Sequence, residues 1–134
     1  MGPTASALLG FAAWYLLLTF ALGIFRSGLV LSGKKSANSF ASDGSDVGDF
    51  GRRLNRARDN CFETLPLFAA IALSASLMNK ISVIDPLAMY LLYARIGQSV
   101  THLASTSIPA INVRFALFLV QIVIYAIWVV QLLG

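Results

Sequence analysis

The chain has 134 residues, 57% hydrophobic and only 12% charged, with a mean hydropathy of +0.76 and a formal net charge of +4. A soluble domain carries roughly a quarter charged residues, so this composition excludes a water-soluble enzyme domain and points to an integral membrane protein. One cysteine, Cys61, excludes an internal disulfide, and reads as a small buried hydrophobe.

A bilayer span takes about 20 mostly apolar residues. Four stretches meet or approach that length, about 6–25, 54–78, 83–104 and 113–133. The connections leave no room for a soluble domain. The expected architecture is all-α, a single up-down-up-down four-helix membrane bundle over residues 1–134.

The first span has no basic residue before its apolar run, and Arg26 follows it, so it reads as a retained span rather than a cleaved signal peptide. The stretch 27–51 is rich in Gly, Ser, Asn and Asp, and reads as a solvated loop. The spacing of Asp43, Asp46 and Asp49 does not match an EF-hand. Asp46 or Asp49 is expected to cap the second helix.

The second helix opens with Arg52-Arg53-Leu54-Asn55-Arg56-Ala57-Arg58-Asp59-Asn60-Cys61-Phe62-Glu63. Arg56, Asn60 and Glu63 stand at i, i+4 and i+7, with Arg53 on the same stripe, so a helix puts them on one face. Charge at the mouth of a membrane helix is costly, and a ligand site is its default reading. The alternative is an Arg56–Glu63 ion pair that locks packing. Pro66 lies one turn on and frees the carbonyl of Phe62, where the helix is expected to bend.

The third span carries Arg95, Gln98, Ser99 and His102 on one face. An arginine at a span centre costs about 2.5–3.5 kcal/mol on insertion scales, so Arg95 needs a partner: Glu63 or an anionic ligand. His102 reads equally as a ligand group or as an interhelical hydrogen-bonder. Arg114, expected in the first turn of the fourth helix, is either a snorkelling anchor or a cation aimed at an anion between helices two and three. Gln121 reads as interhelical glue.

Basic residues set the orientation. Arg26, Lys34, Lys35, Arg52, Arg53, Arg56 and Arg58 surround the first loop, and Arg114 flanks the third. The positive-inside rule puts loops one and three in the cytoplasm and both termini outside. Tyr90, Tyr125 and Trp128 then fall in the outer half, as an interfacial aromatic belt would. This asymmetry accounts for the positive charge without nucleic acid. One His and one Cys are too few for a metal site, and no Ser-His-Asp arrangement or phosphate loop occurs. The inferred ligand is small and anionic, with one cationic end for Glu63. A second, hydrophobic small molecule could enter from the lipid bilayer.

These residues resemble the family of membrane-associated proteins in eicosanoid and glutathione metabolism, or MAPEG, in a bacterial-type branch similar to microsomal glutathione transferases. The family signature Arg-Ala-x-x-Asn-x-x-Glu is matched by Arg56-Ala57-Arg58-Asp59-Asn60-Cys61-Phe62-Glu63, followed by Thr64-Leu65-Pro66-Leu67-Phe68. The resemblance implies a homotrimer, with glutathione as co-substrate, and no metal, bound between subunits near the cytoplasmic face. It assigns Arg56, Asn60, Glu63 and Arg95 to the tripeptide, Arg114 to the thiolate, and Arg26 to a neighbouring subunit's site. Arg58 takes a variable ligand-facing position. Family members commonly carry an aromatic or histidine three residues after the third-helix arginine and a tyrosine seven after; Gln98 and His102 stand there and join the expected glutathione-binding set.

The expected function is therefore a membrane glutathione transferase or peroxidase acting on hydrophobic electrophiles or lipid hydroperoxides. The rival is a non-catalytic bundle that binds an anionic thiol or lipid headgroup, or scaffolds a complex. A transporter lined by Arg95 and Glu63 is disfavoured, because the charges crowd one side and no inverted repeat is visible.

Overall fold

The computed structural model describes residues 2–33, 48–105 and 107–134. Lys34, Lys35, Asp43 and Asp46, used in the orientation, cation-site and capping readings, lie outside the described residues. Four helices run in chain order, α1 (Pro3–Leu31), α2 (Gly48–Leu77), α3 (Ile81–Ala104) and α4 (Ile108–Leu133), with no strand among the described residues.

Local chemistry explains their ends. Pro3 opens α1, where its missing N–H would have had no helical partner. The backbone N–H and hydroxyl of Thr4 both donate to Asp85 Oδ1 on α3, so the cap comes from another helix. Gly48 takes φ 82, a left-handed conformation open to glycine, and Asp49 follows in the first turn of α2, where a carboxylate suits the helix dipole. Asn79 turns the chain between α2 and α3 at φ 56, which asparagine tolerates. Ser107 caps α4 by accepting from the Ala110 N–H at 3.4 Å.

The helices outrun the expected spans. With 29 and 30 residues, α1 and α2 are about 45 Å long at 1.5 Å per residue, against about 30 Å of hydrocarbon. The loop expected over 27–51 is correspondingly trimmed, since α1 runs to Leu31 and α2 begins at Gly48. Hydropathy registers only the apolar part of a helix, whereas the backbone hydrogen bonds continue into the polar region. α2 and α3 continue as single helices through Pro66 and Pro86.

α2 and α3 each pack against all three other helices, while α1 and α4 flank them without touching each other. Gly10 marks a close approach of α1 to α3: a Cβ there would lie 2.8 Å from Leu92 Cδ2. An aromatic cluster fills the centre, with ring centroids 6.0 Å apart for Phe11–Phe68, 5.6 Å for Phe68–Trp128 and 6.0 Å for Tyr125–Trp128, within the usual range for aromatic pairs. This corrects the expected belt. Tyr125 is 3% exposed and Trp128 is fully buried, so both belong to the core; Tyr90 alone of the three faces outward.

Large apolar side chains cover the outside instead, including Leu16, Phe20 and Ile24 on α1 and Phe115, Val123 and Val130 on α4. Water would penalise such a surface and lipid does not. α1, α2 and α4 are each long and apolar enough to cross a membrane, and the protein is a multi-pass helical membrane protein.

Candidate functional site

Antiparallel packing brings the start of α2, the end of α3 and the start of α4 to one end of the bundle. A cleft of about 320 Å³ opens there, lined by Asp49, Arg52, Arg53, Arg56, His102, Ile111 and Arg114. The α2 residues stand at i, i+3, i+4 and i+7, one face of a helix. His102 lies in the last turn of α3. Arg114 is in the second turn of α4 rather than the first, because that helix begins at Ile108. Four guanidinium groups thus face one carboxylate, a field suited to an anion.

The floor is tied together. Arg53 Nε donates to the carbonyl of Leu103 at 2.9 Å. The side-chain nitrogen Nδ2 of Asn60 lies 3.3 Å from His102 Nδ1. One turn deeper, Cys61 Sγ meets Ser99 Oγ at 3.5 Å, and Gln121 Nε2 donates to Gln98 Oε1 at 2.8 Å. The third-helix stripe therefore faces inward as a unit, but only His102 reaches the cleft. Gln98 is bound to Gln121, the glue expected of that residue.

Arg95 lies deeper still. It is 1% exposed, its guanidinium carbon sits 5.7 Å from the centre of the Phe11 ring, and none of its three side-chain nitrogens has a hydrogen-bond partner among the described residues. It does not line the cleft. Glu63 is exposed on α2 and also lies outside the lining. No ion pair joins Glu63 to Arg56 or Arg95 among the described residues, so the packing lock considered for Arg56 is not formed.

Arg26 occupies the α1–α2 side, where its Nη2 donates to Asn55 Oδ1 at 2.9 Å. Asn55 in turn donates to Asp59 Oδ2 at 3.1 Å, and Asp59 holds Arg58 at 2.8 Å. Of the eight expected site residues, the cleft lining contains Arg56, His102 and Arg114, with Asn60 directly behind His102. It adds Asp49, Arg52 and Ile111, which sequence reasoning did not place at the site, and Arg53, which shares the Arg56 stripe expected there. The helical spacing from Asp49 to Arg56 carried that signal, but reading Asp49 as the end of a loop hid it.

Among the described residues no group of His, Cys, Asp and Glu could hold a metal. A second hollow of about 400 Å³ lies at the opposite end between α1, α2 and α3, apolar except for Thr4, Ser76 and Asp85. No curated protein and no solved structure gives a significant match to the chain. The family profile described as the MAPEG family matches residues 4–134, essentially the whole chain and the entire charged segment of α2, and the protein is a member of that family.

Proposed function

We propose that the protein is a membrane-bound glutathione transferase, which joins glutathione to hydrophobic electrophiles or uses it to reduce lipid hydroperoxides. Its family includes glutathione transferases and related proteins. The observation that carries the reading is the convergence of four arginines and one carboxylate in a cleft at the end of a lipid-facing bundle. Glutathione offers two carboxylates and one ammonium to such a field.

Arg114 has the central chemical role. It stands on the α4 wall, half-buried, and its Nε has no hydrogen-bond partner among the described residues. A thiol of pKa about 8.5 needs a shift of one to two units to be largely ionised at neutral pH, or about 1.4–3 kcal/mol. A guanidinium in a partly dry groove is a suitable source. The thiolate then attacks the electrophile; a carbon–sulfur bond forms and the leaving group departs with its electron pair. Arg56 and Asn60 hold the peptide, joined by Glu63 and a neighbouring subunit's Arg26 on the family pattern, while Arg95 lies buried against Phe11 outside the cleft. The hydrophobic substrate enters from the bilayer along the exposed α4 side chains, and the cleft faces the cytoplasm.

The test is glutathione conjugation to a chromogenic electrophile, together with thiolate absorbance on titrating the purified protein with glutathione. Arg114→Ala is expected to lose at least about tenfold in rate, or about 1.4 kcal/mol of transition-state stabilisation, and to lose the thiolate signal. Equal rates in wild type, variant and empty membranes overturn the proposal. Binding of glutathione without turnover selects the non-catalytic reading, which the engagement of Gln98 by Gln121 favours, since that carboxamide is taken up in the core.

A further inference from the structure

His102 is the single histidine of the chain. It is 4% exposed, yet it forms part of the arginine cleft. Its Nδ1 faces the Asn60 side-chain nitrogen at 3.3 Å. A carboxamide nitrogen only donates, so the contact is a hydrogen bond only if Nδ1 offers a lone pair. A proton on Nδ1 would set hydrogen against hydrogen. A neutral imidazole with a lone pair on one nitrogen carries its hydrogen on the other.

That leaves Nε2–H as the ring's one donor. The ring makes no other hydrogen bond among the described residues, and Nε2 is not a sealed, unsatisfied atom. The polar groups around it in the cleft are Arg52, Arg53, Arg56 and Arg114, which only donate, and Asp49. Arg53 already directs its Nε to Leu103.

We propose that Asn60 fixes His102 in the neutral Nε2–H tautomer, making the histidine a directed hydrogen-bond donor to an anionic ligand atom in the cleft rather than the base that takes its proton. The arginines supply charge, and His102 adds a neutral, oriented N–H. The thiol proton then leaves to water, because Nδ1 is turned to Asn60 and Nε2 already carries hydrogen. The tautomer stands on the ligand-free geometry alone; the identity of the ligand rests on the glutathione reading.

One histidine gives one pair of ring nitrogens, so nitrogen NMR of ¹⁵N-histidine-labelled protein in lipid nanodiscs reads the tautomer directly. The ligand-free spectrum is expected to show a protonated Nε2 and an unprotonated Nδ1. Asn60→Asp replaces the donor by an acceptor and is expected to move the proton to Nδ1. A wild-type spectrum with Nδ1–H, or with rapidly exchanging tautomers, overturns the proposal even if the variant does not fold.

Addition of glutathione is expected to shift the Nε2 resonance. His102→Gln, whose amide N–H falls near Nε2–H, should keep glutathione affinity within about twofold, whereas His102→Asn should lose about tenfold, the size of one hydrogen bond to a charged group. Calorimetric binding that leaves both ring nitrogens unmoved overturns the donor role. No heat with glutathione overturns the transferase reading and the donor role together, while the ligand-free spectrum still decides the tautomer.

Discussion

Gln121 and Gln98 show how far a single side chain is legible from sequence. A carboxamide in an apolar span cannot be left alone in lipid, so Gln121 predicts a partner in another helix; it finds one at 2.8 Å in Gln98, a residue expected at the glutathione site. Gln121→Leu leaves Gln98 Oε1 without this donor in the bundle interior. A loss of about 1–2 kcal/mol is expected, read as a lower thermal midpoint in detergent. Gln98→Leu combined with Gln121→Leu removes both ends and should recover most of it. Simple addition of the two losses would mean that the bond contributes nothing. Other residues were ambiguous for a physical reason. Tyr125 and Trp128 are amphipathic and suit a headgroup layer or a core equally well; the rotation of α4 against Phe68 decides, and a sequence does not contain that angle. Arg95 was legible as inward-facing, but not its surroundings, which are Phe11 and the core rather than the cleft.

Elements were easier to count than to bound. Four helices follow from four apolar runs, but their ends lie where apolar content stops being informative, and the arginine cleft is built at those ends. Arg53 shows the consequence. It sits in the turns of α2 beyond the apolar run and donates to Leu103 O, one of the last carbonyls of α3, which a helix cannot satisfy internally. A cation at a helix C-terminus also suits its dipole. Arg53→Ala is therefore expected to fray the last turn of α3, with faster hydrogen exchange at the amides of residues 101–105 and about 1 kcal/mol lost locally. Arg53→Lys keeps the charge and should recover part of the protection. Unchanged exchange in Arg53→Ala would mean that Arg53 serves the cleft alone. Because His102 is in that same turn, fraying should also broaden its ring resonances.

At the scale of the whole molecule, the two outer helices pose the sharpest question. Arg26 near the end of α1 and Arg114 near the start of α4 lie at one end of the bundle, yet α1 and α4 do not touch and Arg26 is directed to Asn55. A single protomer's cleft contains Arg114 without Arg26. On the proposed trimeric arrangement a neighbour's Arg26 completes each site, and genetic mixing tests this. Arg26→Ala and Arg114→Ala are each expected to lose at least about tenfold in conjugation rate as pure assemblies. Co-expressed in equal amounts, they form mixed assemblies. A complete site then needs Arg114 from one protomer and Arg26 from its neighbour, each intact half the time, so about a quarter of wild-type activity should return. If both arginines serve a site within one chain, neither protomer ever carries the pair, and mixing restores nothing. Full activity in pure Arg26→Ala would instead confine Arg26 to its contact with Asn55, leaving the cleft of α2, α3 and α4 complete in one chain.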